Sequence, residues 1–172
     1  CVRDYLTTTG YGLGEAVANI NDTAFTTAAN ICDETSTDAG TTRYTANGAF
    51  TTGTTPQDLL EGLITSMGAT LWYTQGAWNV KAAKWTAPVL DLNEDDLRSG
   101  ISLETRHSRR DNFNTVNGTF RGDESNWQVT DFPPVTNAAF VTADGGLEST
   151  LDMDLPFTDN SVESRRIARI ML

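Results

Sequence analysis

Histidine is almost absent from this 172-residue chain, cysteine occurs only twice, and Lys and Arg together number 12 against 23 Asp and Glu. A single histidine, His107, excludes a histidine-based metal cluster, and any nucleophile triad would have to use that one residue. Cys1 and Cys32 are too few for a disulfide framework, and Cys32 falls on a helical apolar stripe where a packed thiol is the expected role. No apolar run is long enough for a membrane span, and CVRDYLTTTG lacks the three sections of a signal peptide. The net charge of -11 and sequence pI of about 4.3 argue against a nucleic-acid-binding groove, because such binding is driven by neutralising phosphates.

The reactive motifs are missing as well. There is no G-x-S-x-G elbow, no P-loop and no H-E-x-x-H. Gly10, Gly12 and Gly14 give G-x-G-x-G, which misses the dinucleotide spacing and follows no convincing strand, so it reads as a flexible lead-in. Asp91, Asn93 and Asp95 have the alternate spacing of a calcium loop. Asp96 and Ser102, however, stand where that loop needs glycine and its bidentate glutamate, and an acidic solvated loop is the better reading. His107 sits among Arg106, Ser108, Arg109 and Arg110, whose charge would hold it neutral, as expected for a surface turn rather than a catalytic base. No catalytic, cofactor-binding or metal-binding residue is assigned. The basic knot Arg106, Arg109 and Arg110 is the one local reversal of sign, a candidate contact with a neighbouring copy or a solvated turn. Trp72, Trp78, Trp85 and Trp127 could form a sugar-stacking platform, although strand tryptophans more often fill core.

What the chain does have is punctuation. From Arg43 to Ala83 it reads as strand, helix, strand, turn, strand. Thr55 caps, Pro56 takes the first helical position, Asp58 places an acid in the first turn, and Gly68 follows Met67 as the exit. Leu60, Leu63, Ile64 and Met67 have the spacing of one buried face. Gln75 and Gly76 separate Thr70–Thr74 from Ala77–Ala83 as a hairpin whose wet side carries Asn79 and Lys81. Upstream, Asn21 or Asp22 caps a helix with Phe25, Ala28, Ala29 and Cys32 on one face, and Val17 and Ile20 pack near its first turn. Asp33 and Glu34 oppose the helix dipole and should stop it. Thr35 to Thr42 is a polar exposed loop.

Downstream of a soft boundary near Pro88, strands are expected over Ile101–Arg106, Thr115–Arg121, Trp127–Phe132 and Leu147–Leu155. Gly118 marks a bulge or a close backbone approach, Pro133 and Pro134 stop one strand, and Asp144, Gly145 and Gly146 turn into the next. Asp159, Asn160 and Ser161 offer caps for a last helix with Val162, Ile167, Ile170 and Met171 inward and Arg165, Arg166 and Arg169 outward or toward an acidic neighbour. Threonine at roughly a sixth of the residues favours strands and turns over a helical bundle. The expected class is α+β: residues 1–14 as a lead-in from a missing domain, 15–88 as a strand-helix-hairpin subdomain, and 89–172 as a mostly antiparallel, barrel-like part ending in a helix. With no initiating Met and an end inside a helical pattern, the chain reads as a fragment of something longer.

The order of RDYLTTTGYGLG, FTTAANICDE, RYTANGAF with PQDLLEGLITSMGATLWYTQGAWNV, DNFNTVNGTFRGDESNWQVTDFP and DGGLESTLDMDLPFTDNSVESRRIARIML resembles the hub region of phage tail tip proteins of the host-specificity, or tip attachment, type. The resemblance runs over nearly the whole chain. Its matching positions include Asn114 with Val116, Trp127, Asp131, Gly76 with Trp78, and Pro156 with Phe157. It implies a non-enzymatic virion component of a phage or prophage: a hub, usually trimeric, that links the tail tube to receptor-binding fibres, serves host attachment and DNA delivery, and assembles in the bacterial cytoplasm. Other tail proteins would be its partners, no cofactor is implied, and the acidic balance would suit a wall past which DNA slides without sticking. The competing class is a carbohydrate-binding or glycan-hydrolysing tail-associated domain. It would need a concave site with exposed Trp and two facing carboxylates, whereas assembly would show open strand edges and apolar patches.

Overall fold

The computed structural model describes residues 1–37, 40–102 and 112–172. Among them are five helices and six strands: α1 (Val2–Thr7), α2 (Asp22–Asp33), α3 (Pro56–Thr65), β1 (Thr70–Thr74), β2 (Ala77–Lys81), β3 (Thr115–Arg121), β4 (Val129–Asp131), β5 (Val135–Thr136), α4 (Ala138–Ala143), β6 (Thr150–Leu155) and α5 (Ser161–Met171). The class is α+β, as the order of sequence signals implied.

α3 begins as its punctuation dictates. The Asp58 N–H donates to Thr55 Oγ1 at 3.3 Å, Pro56 opens the helix where no N–H is needed, and Gly68 follows its end at φ +54°. Its buried face, however, is turned one residue back from the expected stripe. Leu59, Gly62, Leu63 and Ser66 are buried, while Leu60, Ile64 and Met67 are only half-buried. The cause is Phe157. A Cβ on Gly62 would meet its ring at 2.9 Å, so the helix offers its smallest residue to the bulkiest neighbour, and Ser66 satisfies its hydroxyl on Leu63 O at 2.8 Å.

The hairpin forms with the two-residue turn Gln75–Gly76, both at positive φ (52° and 80°), the sense of turn that matches strand twist. The expected wet side is half wrong. Lys81 is exposed but Asn79 is buried, because the chain before α2 docks along β2: Ile20 pairs with Trp78, and the Asn21 N–H donates to Trp78 O at 3.0 Å. The Asn21 amide then donates to Asn79 Oδ1 at 2.7 Å while its own oxygen caps α2 by accepting from the Ala24 N–H. In α2, Phe25 and Ala28 are buried and Cys32 half-buried, but Ala29 faces solvent; Ile20 is buried and Val17 exposed.

The strand expected before α3 does not form. Residues 43–50 run irregularly, with the Arg43 N–H on Glu34 O (2.8 Å), the Tyr44 N–H on Cys32 O (3.1 Å) and the Asn47 N–H on Phe157 O (2.9 Å). The side chains are β-prone, yet no neighbouring strand lies within reach, so helix-end and loop carbonyls take the donors. Ser36, expected in an exposed loop, is buried. The glycine-rich lead-in folds back on α1, with the Leu13 N–H on Tyr5 O (2.9 Å) and the Glu15 N–H on Leu6 O (2.8 Å), while Val2, Tyr5 and Leu6 enter the core.

β3 is the centre of the second sheet. β4 and β5 both pair antiparallel with it, and between Thr119↔Asp131 and Val116↔Val135 three steps on β3 face four on the segment that carries β4 and β5. That extra residue is a bulge at Phe132–Pro134, where proline cannot continue the ladder. β6 runs parallel to β3, from Thr115↔Thr150 to Phe120↔Leu155, an exception to the antiparallel expectation. α4 lies in the return connection. It was not anticipated from sequence, although Asn137 caps it by accepting from the Ala139 and Phe140 N–H groups. Gly118 marks a close approach, since a Cβ there would stand 2.8 Å from the Phe132 ring. Trp127 sits at φ +61° in the turn before β4, so that strand starts later than expected. No closed barrel occurs among the described residues, which corrects the barrel-like expectation: β3 carries all the pairing and the outer edges do not meet. Ile101 and Ser102 are irregular, and the rest of the strand expected there lies outside the described residues.

α5 is capped by Asn160, whose oxygen accepts from the Glu163 N–H at 2.8 Å. Its inward face corrects the expectation. Ile167 is buried as predicted, but Val162, Ile170 and Met171 are exposed, and Glu163, Ser164, Arg166 and Ala168 are buried in their place. Ser164 is satisfied on Asn160 O at 2.9 Å, and Glu163 has protein donors, so polar groups with partners displace apolar ones without. Two apolar cores result. Val2, Leu6, Phe25, Leu59, Leu63, Val80 and Phe157 form the first; Tyr44, Val116, Phe120, Phe132, Leu155 and Ile167 form the second, and Cys32 and Met67 border both.

Candidate functional site

The line where the cores meet carries the most organised polar cluster. Residues 43–47 lie between the end of α2 and the start of α5. Glu163, 1 % exposed, accepts from the Thr45 N–H (3.0 Å) on Oε1, and from the Thr45 hydroxyl (2.8 Å) and the Asn160 amide (3.1 Å) on Oε2. Asp159 Oδ1 lies 3.0 Å from the same hydroxyl and accepts from the same amide at 3.0 Å, and Oδ2 accepts from the Asn47 amide. Burial pushes the Glu163 carboxyl up to about 7, against the downward pull of its Thr45 and Asn160 hydrogen bonds. A carboxyl of that kind suits general acid chemistry, but every contact here comes from the protein itself and no face is left for a substrate. The cluster is a clasp joining 43–47 to α5.

The cavities lined by the described side chains include three of note. One of about 550 Å³ is lined by Phe25, Ala28, Leu63 and Val80 together with both cysteines. The Cys32 thiol is held above its ordinary range, first by burial and then by Glu163 and Asp33, and its sulfur lies 3.8 Å from Met67 Sδ. It is therefore a packed thiol and a poor nucleophile. A second cavity, of about 490 Å³, contains Trp127, Phe50 and Arg121 with Asp58 as its single carboxylate. The third, also about 490 Å³, brings Arg43, Lys84 and Arg166 beside Tyr44 and Trp85.

The residues singled out in the sequence do not converge. Arg106, Arg109 and Arg110, with His107, lie outside the described residues. Trp85 and Trp127 line different cavities, Trp72 is exposed on β1, and Trp78 is half-buried in contact with Tyr73, so no shared sugar platform is built. Asp91, Glu94, Asp95 and Asp96 are exposed, and Glu94–Asp96 forms a 3-10 turn, where Asn93 and Asp96 make reciprocal capping contacts. No group of three or more possible metal ligands occurs among the described residues. What sequence reasoning passed over is Glu163, for which Asn160-x-x-Glu163 was a capping signal, and the pairing of Arg43 with Lys84, which nothing local announces.

One surface feature stands out. Between β2 and β3, Trp85, Val89, Leu90, Leu92, Leu97 and Ile101 are all exposed, Trp85 at 83 % and Val89 at 100 %. β1 and β6 also each have an edge with no strand beside it among the described residues. No described helix is long and apolar enough to cross a membrane.

No protein-family model matches the chain, and no curated protein matches it.

Proposed function

We propose that this chain is an assembly module, a hub domain of a phage or prophage tail tip that joins tail tube to receptor-binding fibre and contributes to host attachment and DNA delivery. The observation that carries the assembly reading is the exposed apolar run from Trp85 to Ile101, since six large apolar side chains on one irregular segment are the mark of a surface meant to be covered. The open edges of β1 and β6 support it, because unpaired strand edges are sites of chain-to-chain pairing. The tail-tip part of the reading rests on the order of sequence segments. Partners would be further copies, as a trimer in the virion tail, and other tail proteins. Hydrolysis of glycans is not favoured: the groove holding Trp127 contains one carboxylate where such chemistry needs two.

The test is a light-scattering mass for this chain and for a longer tail polypeptide containing it, with and without charge substitutions at Leu90 and Leu92. A trimer in the longer polypeptide that Leu90→Glu with Leu92→Glu dissociates is the expected result. A monomer at every concentration in both would remove the hub reading.

A further inference from the structure

The second cavity holds an aromatic side chain that the fold does not use. Trp127 lines it, belongs to neither apolar core and is 51 % exposed. Its backbone is nevertheless pinned. Asn126 and Trp127 both stand at positive φ (51° and 61°), the Trp127 N–H donates to Gly122 O at 2.8 Å, and the Ser125 hydroxyl sits between Gly122 O and Gln128 O at 3.0 and 2.8 Å. Asparagine adopts that backbone readily and tryptophan does not, so the turn carries a strain that the indole does not offset by entering a core.

The other groups of the cavity indicate what the indole meets. Phe50, 40 % exposed, is a second aromatic wall, held by Tyr5 edge to face at 5.9 Å and by Tyr11 at 6.3 Å. Leu59 and Phe157, packed in the first core, give an apolar base. Asp58, Thr51 and Thr54 are exposed along it. The Asp58 carboxylate has no hydrogen-bond or ion-pair partner among the described residues, and the two threonine hydroxyls have only each other, at 3.5 Å. Arg121 is engaged, its Nη1 paired with Asp154 Oδ1 at 3.4 Å, which leaves Asp58 as the uncompensated charge of the cavity.

That set of groups selects a class of ligand. A carboxylate accepts O–H donors on both oxygens, a hydroxyl donates and accepts, and an indole face takes apolar C–H edges. A sugar ring presents all three kinds of partner, and a volume of about 490 Å³ suits a mono- or disaccharide. An acid ligand would be repelled by Asp58. A quaternary ammonium would use the aromatic faces and the carboxylate but would give the threonine hydroxyls nothing to bond.

We propose that Trp127, Phe50, Asp58, Thr51 and Thr54 form a binding site for a neutral sugar, with the ring against Trp127 and adjacent sugar hydroxyls on the Asp58 carboxylate. With one carboxylate the site binds its sugar and does not cleave it. It stands independently of the hub reading, since a monomer carries it as well as a trimer does.

Isothermal titration calorimetry of the whole chain with glucose, galactose, mannose, N-acetylglucosamine, glucuronate and choline decides the matter. At least one of the four neutral sugars is expected to bind with a Kd of about 5 mM or tighter, with glucuronate and choline at least about tenfold weaker. Trp127→Ala and Asp58→Ala, both at exposed positions and with the fold verified by circular dichroism, should each weaken that sugar about tenfold. Trp85→Ala, at the third cavity, should leave it unchanged. A Kd weaker than about 5 mM for all four neutral sugars would overturn the proposal. So would undiminished binding in Trp127→Ala or in Asp58→Ala, a loss in Trp85→Ala equal to that in Trp127→Ala, or glucuronate or choline binding as tightly as the best neutral sugar.

Discussion

The Thr45 hydroxyl lies 2.8 Å from Glu163 Oε2 and 3.0 Å from Asp159 Oδ1, so a single donor proton stands between two carboxyl groups. A hydroxyl can donate only once. With both acids ionised, one of those contacts sets oxygen lone pairs against each other. With Glu163 protonated the count closes: Glu163 donates to Thr45, and Thr45 donates to Asp159. Donor counting and burial thus act in the same direction on Glu163, and the clasp between 43–47 and α5 is complete in its protonated form.

The pH dependence of stability follows. Folding raises the Glu163 carboxyl from its ordinary 4.5 to about 7, so the folded state binds the extra proton in that window. The resulting stability is fully present below pH 4.5 and is lost as the pH rises through 7, amounting to about 3 kcal/mol at most. Glu163→Gln keeps an oxygen for the Thr45 N–H and removes the titration. Urea unfolding at pH 5, 6, 7 and 8 should show the parent losing stability across the series and the variant losing clearly less. Parallel slopes for the two proteins would refute this assignment.

The rotational phase of α3 yields a second expectation. Leu59 and Leu63 are buried while Leu60 and Ile64 are half-buried. Leu59→Ala and Leu63→Ala should therefore each cost about 2–5 kcal/mol, as large-to-small core changes do. Leu60→Ala should cost less than about 2 kcal/mol, because part of its surface already faces water. Equal losses at 59 and 60 in denaturant titrations would put the stripe back where periodicity alone set it.

Much of the secondary structure was legible because its signals are local. Thr55-Pro56, Gln75-Gly76 and Pro133-Pro134 act through the backbone of their own few residues, and the structure honours all three. What failed depended on neighbours distant in sequence. Asn79 is buried only because Asn21 reaches it, Glu163 only because Thr45 does, and residues 43–50 miss strand pairing only because no strand comes alongside. The same holds for the cationic pocket. Arg43, Lys84 and Arg166 are far apart in the chain, and the ion pairs of Arg43 and Lys84 with Glu34 appear only once the end of α2 and residues 43 and 84 are brought together.

Gly62 reverses a common rule. In an open helix interior, Gly→Ala gains about 1 kcal/mol. Here the new Cβ would lie 2.9 Å from the Phe157 ring, which is packed in the first core, and 3.0 Å from Pro156 Cγ. Overpacking of that kind costs about 1–3 kcal/mol, so Gly62→Ala should lower the unfolding free energy instead of raising it. A rise in thermal midpoint on Gly62→Ala would show that Phe157 yields without cost. Pairing the change with Phe157→Leu should recover part of the loss, since the smaller side chain removes the ring the methyl group meets.

The hairpin turn offers the opposite case, a position where a natural residue is suboptimal. Gln75 occupies φ +52°, a left-handed conformation that costs an ordinary L-residue about 1–2 kcal/mol and that asparagine adopts more readily. Gly76 already supplies the second positive φ, at 80°. Gln75→Asn would create the Asn-Gly pair that this turn favours, and should stabilise the protein by up to about 1 kcal/mol. Gln75→Val, with branching at Cβ, should destabilise it by at least as much, because the left-handed region excludes branched side chains. The two changes leave the β1–β2 register and both cores untouched, so their difference in urea midpoint reports the turn alone. Equal midpoints for the two variants would mean that the turn opens at no cost and that Ile20 and Asn21, docked along β2, hold the hairpin in its place.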